Sequence, residues 1–157
     1  MAIEKPEYRL LAEVGGVEFR EYDPYWIAEC DFPNQQSLRE ASSRGFQYLF
    51  NYISGQNESA QKIAMTAPVT VEPTSESSMS QATRWRIHFV MPRAYTLATL
   101  PQPKNEAVQV REIPPTYVLV HRYSWLNTAA RVQAKTDETL AWAQQRGLRV
   151  IGTPQLA

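Results

Sequence analysis

The feature that most constrains this chain is a copy of itself. The stretch FREYDPYWI begins at Phe19, and VREIPPTYV begins at Val110. Arg20 is matched by Arg111, Glu21 by Glu112, Pro24 by Pro115, Trp26 by Tyr117 and Ile27 by Val118, all at one spacing, 111 − 20 = 91. Each stretch leads into the same succession of strand, helix, glycine and strand, with Gly55 and Gly147 at nearly the same spacing. Repetition of a motif together with the order of its elements marks a duplicated structural unit. The expectation is one domain over residues 1–157, made of pseudo-repeats at about 8–92 and 105–157. Two β-α-β-type units joined antiparallel can close their sheets into a barrel, which removes open edges. Helices then pack outside and a groove is left between the halves.

The local patterns fill in that frame. YRLLAEVGGVEFREY (8–22) reads as strand, Gly-Gly turn, strand, and PYWIAECDF (24–32) as a further strand. Residues 35–54 carry Leu38, Ala41, Gly45, Leu49 and Tyr52 on one helical face, with Asn34 as the expected N-cap and Gly55 as the stop. Phe46, Phe50 and Ile53 form a second apolar row beside that face. KIAMTAPVTVEP (62–73), TRWRIHFVMP, VQVREI and TYVLVHRY read as strands, with a Ser-rich loop after the first and a Pro-containing connection before the third. In the first, Ala64 and Ala67 are expected to let a helix approach, and Pro68 to end or kink the ladder. A second helix is expected over 128–146, capped by Asn127, and LRVIG (148–152) as a closing strand.

Composition excludes several functions. Net charge is zero, without a cluster of Lys and Arg, so a polyanion such as nucleic acid is not the expected partner. The single cysteine, Cys30, permits neither an internal disulfide nor a multi-Cys zinc site. The N-terminus lacks the apolar core of a signal peptide and no segment has the length of a membrane span, so a cytoplasmic protein is expected.

Catalytic signatures are also missing. No phosphate-binding glycine loop, metalloprotease helix or nucleophile elbow occurs, and no enzyme is expected. His88 alternates with Trp85, Ile87 and Phe89 and is expected on the solvated side of its strand. His121 shares a face with Tyr117, Leu119 and Tyr123; it is either a hydrogen-bonded core residue or a metal ligand. Cys30 stands at the repeat position of His121 and reads as a small buried residue, a Cys–His nucleophile being the other option. The second apolar row of the first helix needs a cover. That cover is the rest of the domain, or a flat apolar ligand held by burial worth roughly 1.5–3 kcal/mol per aromatic side chain.

Lys62-Ile63-Ala64-Met65-Thr66-Ala67-Pro68-Val69 resembles the central motif of the SOUL/haem-binding protein family. VEFREYDPYWIAE, FQYLFNYISGQN, WRIHFVMP and TLATLPQP resemble other stretches of that family in the same order, together covering about residues 8 to 123. The resemblance implies an α+β fold of duplicated β-α-β-β units, a distorted antiparallel β-barrel flanked by two helices. It implies reversible, non-catalytic binding of haem or a related tetrapyrrole in a hydrophobic groove beside the first helix, for sequestration or transport. Carried over by position, Phe46, Leu49, Phe50 and Ile53 are groove walls and Lys62 is a candidate partner for a propionate; His121, read from its own strand face and not from the resemblance, is the candidate metal ligand. Glu21 stands where one branch of the family has a histidine, and Trp125 replaces a glycine ahead of the second helix. The family continues beyond the point matched by Ala157, so the expectation is either a shortened member or a sheet completed by another copy as a homodimer. The alternative is an effector-binding module for other small apolar ligands, of the gyrase-inhibitor type that shares this architecture.

Overall fold

The opening hairpin shows how residue type sets the architecture. Gly15 and Gly16 have φ of +62° and +84°, the left-handed pair that a two-residue turn between right-twisted strands requires. They join β1 (Tyr8–Val14) to β2 (Val17–Tyr22). The structure, a computed structural model, describes residues 3–32, 37–74, 84–124 and 128–157. The chain continues through β3 (Tyr25–Phe32), α1 (Leu38–Ile53), β4 (Val69–Pro73), β5 (Trp85–Val90), β6 (Val108–Ile113), β7 (Thr116–His121) and α2 (Ala129–Gln145). These strands all pair antiparallel, in a three-stranded sheet β1-β2-β7 and a four-stranded sheet β4-β5-β3-β6. The fold is α+β, with two helices and seven antiparallel strands in two sheets; no closed barrel is found among the described residues. Among the described residues, no helix is long and apolar enough to cross a membrane.

Two bent strands hold the sheets together. Partners in β2 and β7 sum to 138 (Val17↔His121, Tyr22↔Thr116), and so do partners in β3 and β6 (Tyr25↔Ile113, Cys30↔Val108). One register therefore runs through both sheets, with the Asp23-Pro24 bend opposite the Pro114-Pro115 bend. Shifting by 91 turns the pair Arg20↔Val118 into Arg111↔Ile27, which is itself a pair. That is the signature of a local two-fold axis between the bends. Proline suits such corners because it fixes φ and offers no N–H to a ladder.

The helices keep the same spacing. Ser37 caps α1 by accepting the Glu40 N–H, Thr128 caps α2 by accepting the Arg131 N–H, and 128 − 37 = 91. The expected caps, Asn34 and Asn127, lie outside the described residues; α1 and α2 begin beyond them because a hydroxyl nearer the first turn reaches the orphan amides. Gly55 and Gly147, at φ +116° and +68°, end the helices as expected. In each, an amide beyond the cap reaches back to the last turn: Gln56 to Asn51 and Leu148 to Ala143.

Two strand expectations fail. Lys62–Pro68 is irregular, and the strand begins only at Val69. The segment satisfies its polar groups outside a ladder. Ile63 N–H donates to the Ile53 carbonyl (2.7 Å), Ala67 N–H to Glu4 (3.0 Å), and the Thr66 hydroxyl to the Val90 carbonyl. Ala64 is exposed and packs no helix. Residues 148–152 are not a strand either, and Val150 and Ile151 point to solvent. Instead Leu156 exchanges both backbone hydrogen bonds with Val71 (2.8 Å each) and closes the edge of β4.

The core lies between α1 and the four-stranded sheet. Ala28, Cys30, Phe32, Trp85, Ile87 and Phe89 meet Ala41, Leu49, Tyr52 and Ile53 there. Gly45 sets the distance: a Cβ on it would stand 2.9 Å from Ile87 Cβ.

Candidate functional site

Helix α1 buries Ala41, Gly45, Leu49, Tyr52 and Ile53 and leaves its second row open. Phe46 and Phe50 are 42% and 44% exposed. Their rings stack 5.9 Å apart at an interplanar angle of 11°. Beneath them, Phe46 meets the edge of buried Phe89 on β5 at 5.4 Å. Two nearly parallel aromatic faces thus present a flat apolar ledge, a geometry favoured between rings and for planar ligands.

Lys62 sits in the segment that follows this helix. It is exposed, and its neighbour Ile63 bonds to Ile53, one turn beyond Phe50. Asn57 fixes the connection. It is fully buried; its amide donates to the Tyr52 and Gln61 carbonyls (2.9 and 2.8 Å), and its oxygen accepts the Gln61 N–H (3.0 Å). The position of Lys62 relative to the Phe pair is therefore built into the backbone. Met65, also exposed, lies in the same irregular segment ahead of Val69, which pairs with Phe89.

Leu49 and Ile53, carried over as groove walls, lie in the core instead. Leu49 belongs to the sheet-facing row, and Ile53 lies on the sheet-ward side of the Phe row, so the sheet claims both. A partly open hollow lies on the opposite flank of α1. A concavity of about 290 Å³ there has Tyr48, Asn51, Lys104 and Asn105 among its walls.

The histidines stand apart from the ledge. His121 lies on β7 under α2, with Nδ1 3.1 Å from Thr139 Oγ1 and Nε2 3.8 Å from Glu138. The Thr139 hydroxyl donates to the Lys135 carbonyl (2.7 Å), so it accepts from Nδ1–H, while Nε2 faces the Glu138 carboxylate. His88 is not solvated as expected. It is buried, with Glu29 and Thr70 as cross-strand neighbours. Alternation assigned the correct side of β5, but that side holds a polar network rather than water. Arg111 donates to Glu29 (2.8 Å), Arg86 to Asp31 (2.7 Å), and Thr153 and Gln155 to Glu72 (3.0 and 3.1 Å). Burial pushes the His88 imidazole down to about 4, against the pull of Glu72 and Glu29.

Cys30 faces α1 in the other sheet from His121, and burial pushes its thiol up to about 12. A protonated, enclosed thiol is a poor nucleophile. Among the described residues no group of three or more His, Cys, Asp or Glu could hold a metal ion.

A flat aromatic ledge on an α+β frame with an internal repeat invites comparison with known proteins. The model of the SOUL heme-binding protein family matches residues 3–155. The chain belongs to the SOUL family. Heme-binding protein 2 of Mus musculus is 37% identical over 89 residues, which make up 52% of this chain and 42% of that protein. The aligned part thus spans less than half of that relative's length. The family match, residues 3–155, takes in both sheets, both helices and the Phe46–Phe50 ledge.

Proposed function

We propose that this SOUL domain binds haem or a related tetrapyrrole reversibly and without catalysis, for sequestration or transport in the cytoplasm. Phe46 and Phe50 would carry the macrocycle and Lys62 would meet a propionate as a point charge. Bound, the ligand supplies a rigid apolar face and two carboxylates; the protein's part is to cover the face and neutralise charge. The observation that carries this reading is the exposed, nearly parallel Phe46–Phe50 stack. Helix α2 has Asp137 and Ala141 at the same places (46 + 91 = 137 and 50 + 91 = 141), so the helical frame itself does not demand two phenyl rings. His121 is engaged beneath α2, and an iron ligand is not part of the proposal.

The test is a hemin titration followed in the Soret band. Phe46→Asp with Phe50→Ala makes the α1 surface resemble α2 at two exposed positions, so the fold is expected to survive. Saturable binding by the native chain should weaken at least tenfold, since burying one such ring is worth roughly 1.5–3 kcal/mol. Unchanged affinity in that variant would end the proposal. The concavity of about 290 Å³ on the other flank favours a second reading, an effector site for a smaller apolar ligand. A small ligand that binds there, with hemin inert, would select it.

A further inference from the structure

The hollow on the far flank of α1 from the Phe ledge is walled by residues between 48 and 108. Its two sides are tied together. The Tyr52 hydroxyl donates to the Pro101 carbonyl (2.7 Å), the Glu58 N–H donates to the Gln102 carbonyl (2.9 Å), and Asn57 forms a β-bridge with Pro103. Within the facing loop, the Val108 N–H donates to the Asn105 carbonyl (3.0 Å) and the Ala107 N–H to Asn105 Oδ1 (2.9 Å). The loop is thereby held against the end of α1, and the backbone sets the space between them.

The lining is chemically one-sided. It contains Lys104 and no Asp or Glu. Asn51 Oδ1 accepts from the Gln47 amide (2.8 Å) and Asn105 Oδ1 from Ala107, so both side chains keep their N–H groups to donate. Among the described residues, the Lys104 ammonium and the Tyr48 hydroxyl have no ion pair or hydrogen bond. The Tyr48 ring is fixed by stacking on Phe32, 6.0 Å apart at 26°. One cation, several donors and no carboxylate together select an anion. A neighbouring hollow of about 330 Å³ shares Pro103 and Val108 but has no charged residue in its lining, so this preference belongs to the first hollow.

The repeat shows what shape fits. Asn51 shifted by 91 is Trp142, and Val108 shifted back by 91 is Val17. Val17 and Val108 are both buried. Trp142 is 8% exposed, with the Arg146 guanidinium 3.8 Å over its ring. The second half thus carries a bicyclic ring of its own beside a cation. The first half carries a short amide there and leaves a hollow of about 290 Å³ beside Lys104. We propose that this hollow binds a small planar aromatic carboxylate of indole or naphthalene size, its ring against Tyr48 and Pro103 and its carboxylate at Lys104. The proposal rests on the second reading of the hollow and gives that reading its ligand chemistry; haem at the ledge neither requires nor excludes it.

The probes are 2-naphthoate and its neutral counterpart 2-naphthamide, titrated into the full chain and read by NMR shifts of the backbone amides around the hollow. Saturable binding of both is expected, in the millimolar range or tighter, with the acid preferred about threefold, as a solvent-exposed ion pair allows. Lys104→Met, at an exposed position, should remove that preference. Asn51→Trp copies what α2 already carries at the equivalent place, so the fold is expected to survive, and the indole should fill the hollow and abolish binding of both probes. Phe46→Asp with Phe50→Ala should leave naphthoate affinity unchanged, so this proposal and the haem proposal can fail separately. Absence of saturable binding to the native chain, equal affinity for acid and amide, a preference that persists in Lys104→Met, or native affinity in Asn51→Trp would overturn the proposal. Loss of naphthoate binding in the Phe46–Phe50 variant would also overturn it, since the ligand would then sit on the ledge.

Discussion

Helices α1 and α2 start from equivalent caps, at equivalent places on equivalent bent strands, and end differently. Five residues of α1 are buried, against three of α2: Val132, Trp142 and Ala143. The difference is not in the helices' own design, since Ser37 and Thr128 act alike and both helices end at a left-handed glycine. It lies in the sheet beneath. Among the described residues, α1 rests on β3 and β5 with a smaller contact to β6, whereas α2 packs chiefly on β7. A helix face is made apolar by sequence, but it is buried only when a second strand stands under it, so the same fold supports a core on one side and an open surface on the other.

The sharpest way to break this comparison is to truncate the same leucine on both helices. Leu49→Ala removes a fully buried side chain and should destabilise by roughly 4 kcal/mol. Leu140→Ala, at the equivalent place, should cost less than about 0.5 kcal/mol because solvent already reaches it. Urea denaturation of the two variants decides the matter. Similar losses would mean that something covers α2 in solution.

The second effect in size separates the two faces of the four-stranded sheet. The His88 imidazole is held near 4 in the folded chain against 6.5 when free. Between these values the unfolded chain binds a proton that the folded chain refuses, so stability is constant above pH 6.5 and falls as pH drops toward 4. A single group with this displacement contributes roughly 3 kcal/mol across that window. Glu29, Glu72, Arg86 and Arg111 surround it from β3, β4, β5 and β6. Their own titration is the background, which His88→Gln retains. The difference between native and variant stability from pH 7 to pH 4 should show the loss; parallel curves would place His88 in solvent after all.

These two residues show where sequence was informative and where it was not. The repeat at a spacing of 91 and the periods of 2 and 3.6 are properties of neighbouring residues, so strands, helices and the sheet-facing row of α1 were legible. The fate of His88 was not, because alternation identifies a side and not what lies against it; here that is a network drawn from four strands and from Thr153 and Gln155. Lys62–Pro68 misled for a related reason. Its apolar residues suit a strand, but its hydrogen bonds go to Glu4, Ile53 and Val90, which sequence distance conceals. The ledge was legible as a second apolar row, yet separating exposed Phe46 and Phe50 from buried Leu49 and Ile53 needed the helix's rotation on the sheet.

Gly45 tests the same rotation at lower energy. Adding a methyl group forces contact with Ile87 Cβ at 2.9 Å, and the neighbour is β-branched and already in the core. Gly45→Ala should destabilise by roughly 2 kcal/mol through overpacking, even though alanine favours a helix. At the equivalent place α2 already has Thr136, and Thr136→Ala should change stability by less than about 0.5 kcal/mol. A stabilised Gly45→Ala would mean that α1 sits farther from β5 than the structure places it.

The smallest effect is the one in which the halves should agree. Ser37 accepts the Glu40 N–H at 3.1 Å and Thr128 accepts the Arg131 N–H at 3.2 Å. Each hydroxyl satisfies one amide that the first turn cannot, and its removal costs about 1 kcal/mol. Ser37→Ala and Thr128→Ala should therefore be similar by urea denaturation if the chain unfolds as one unit. If α2 is a separate, weaker unit, Thr128→Ala will lower only an early transition, seen in the fluorescence of Trp142 beneath Arg146, while Ser37→Ala moves the main one. The cap pair thus asks whether two halves that share a geometry also share a single cooperative transition, a question the unequal leucines cannot answer, because they differ in burial from the start.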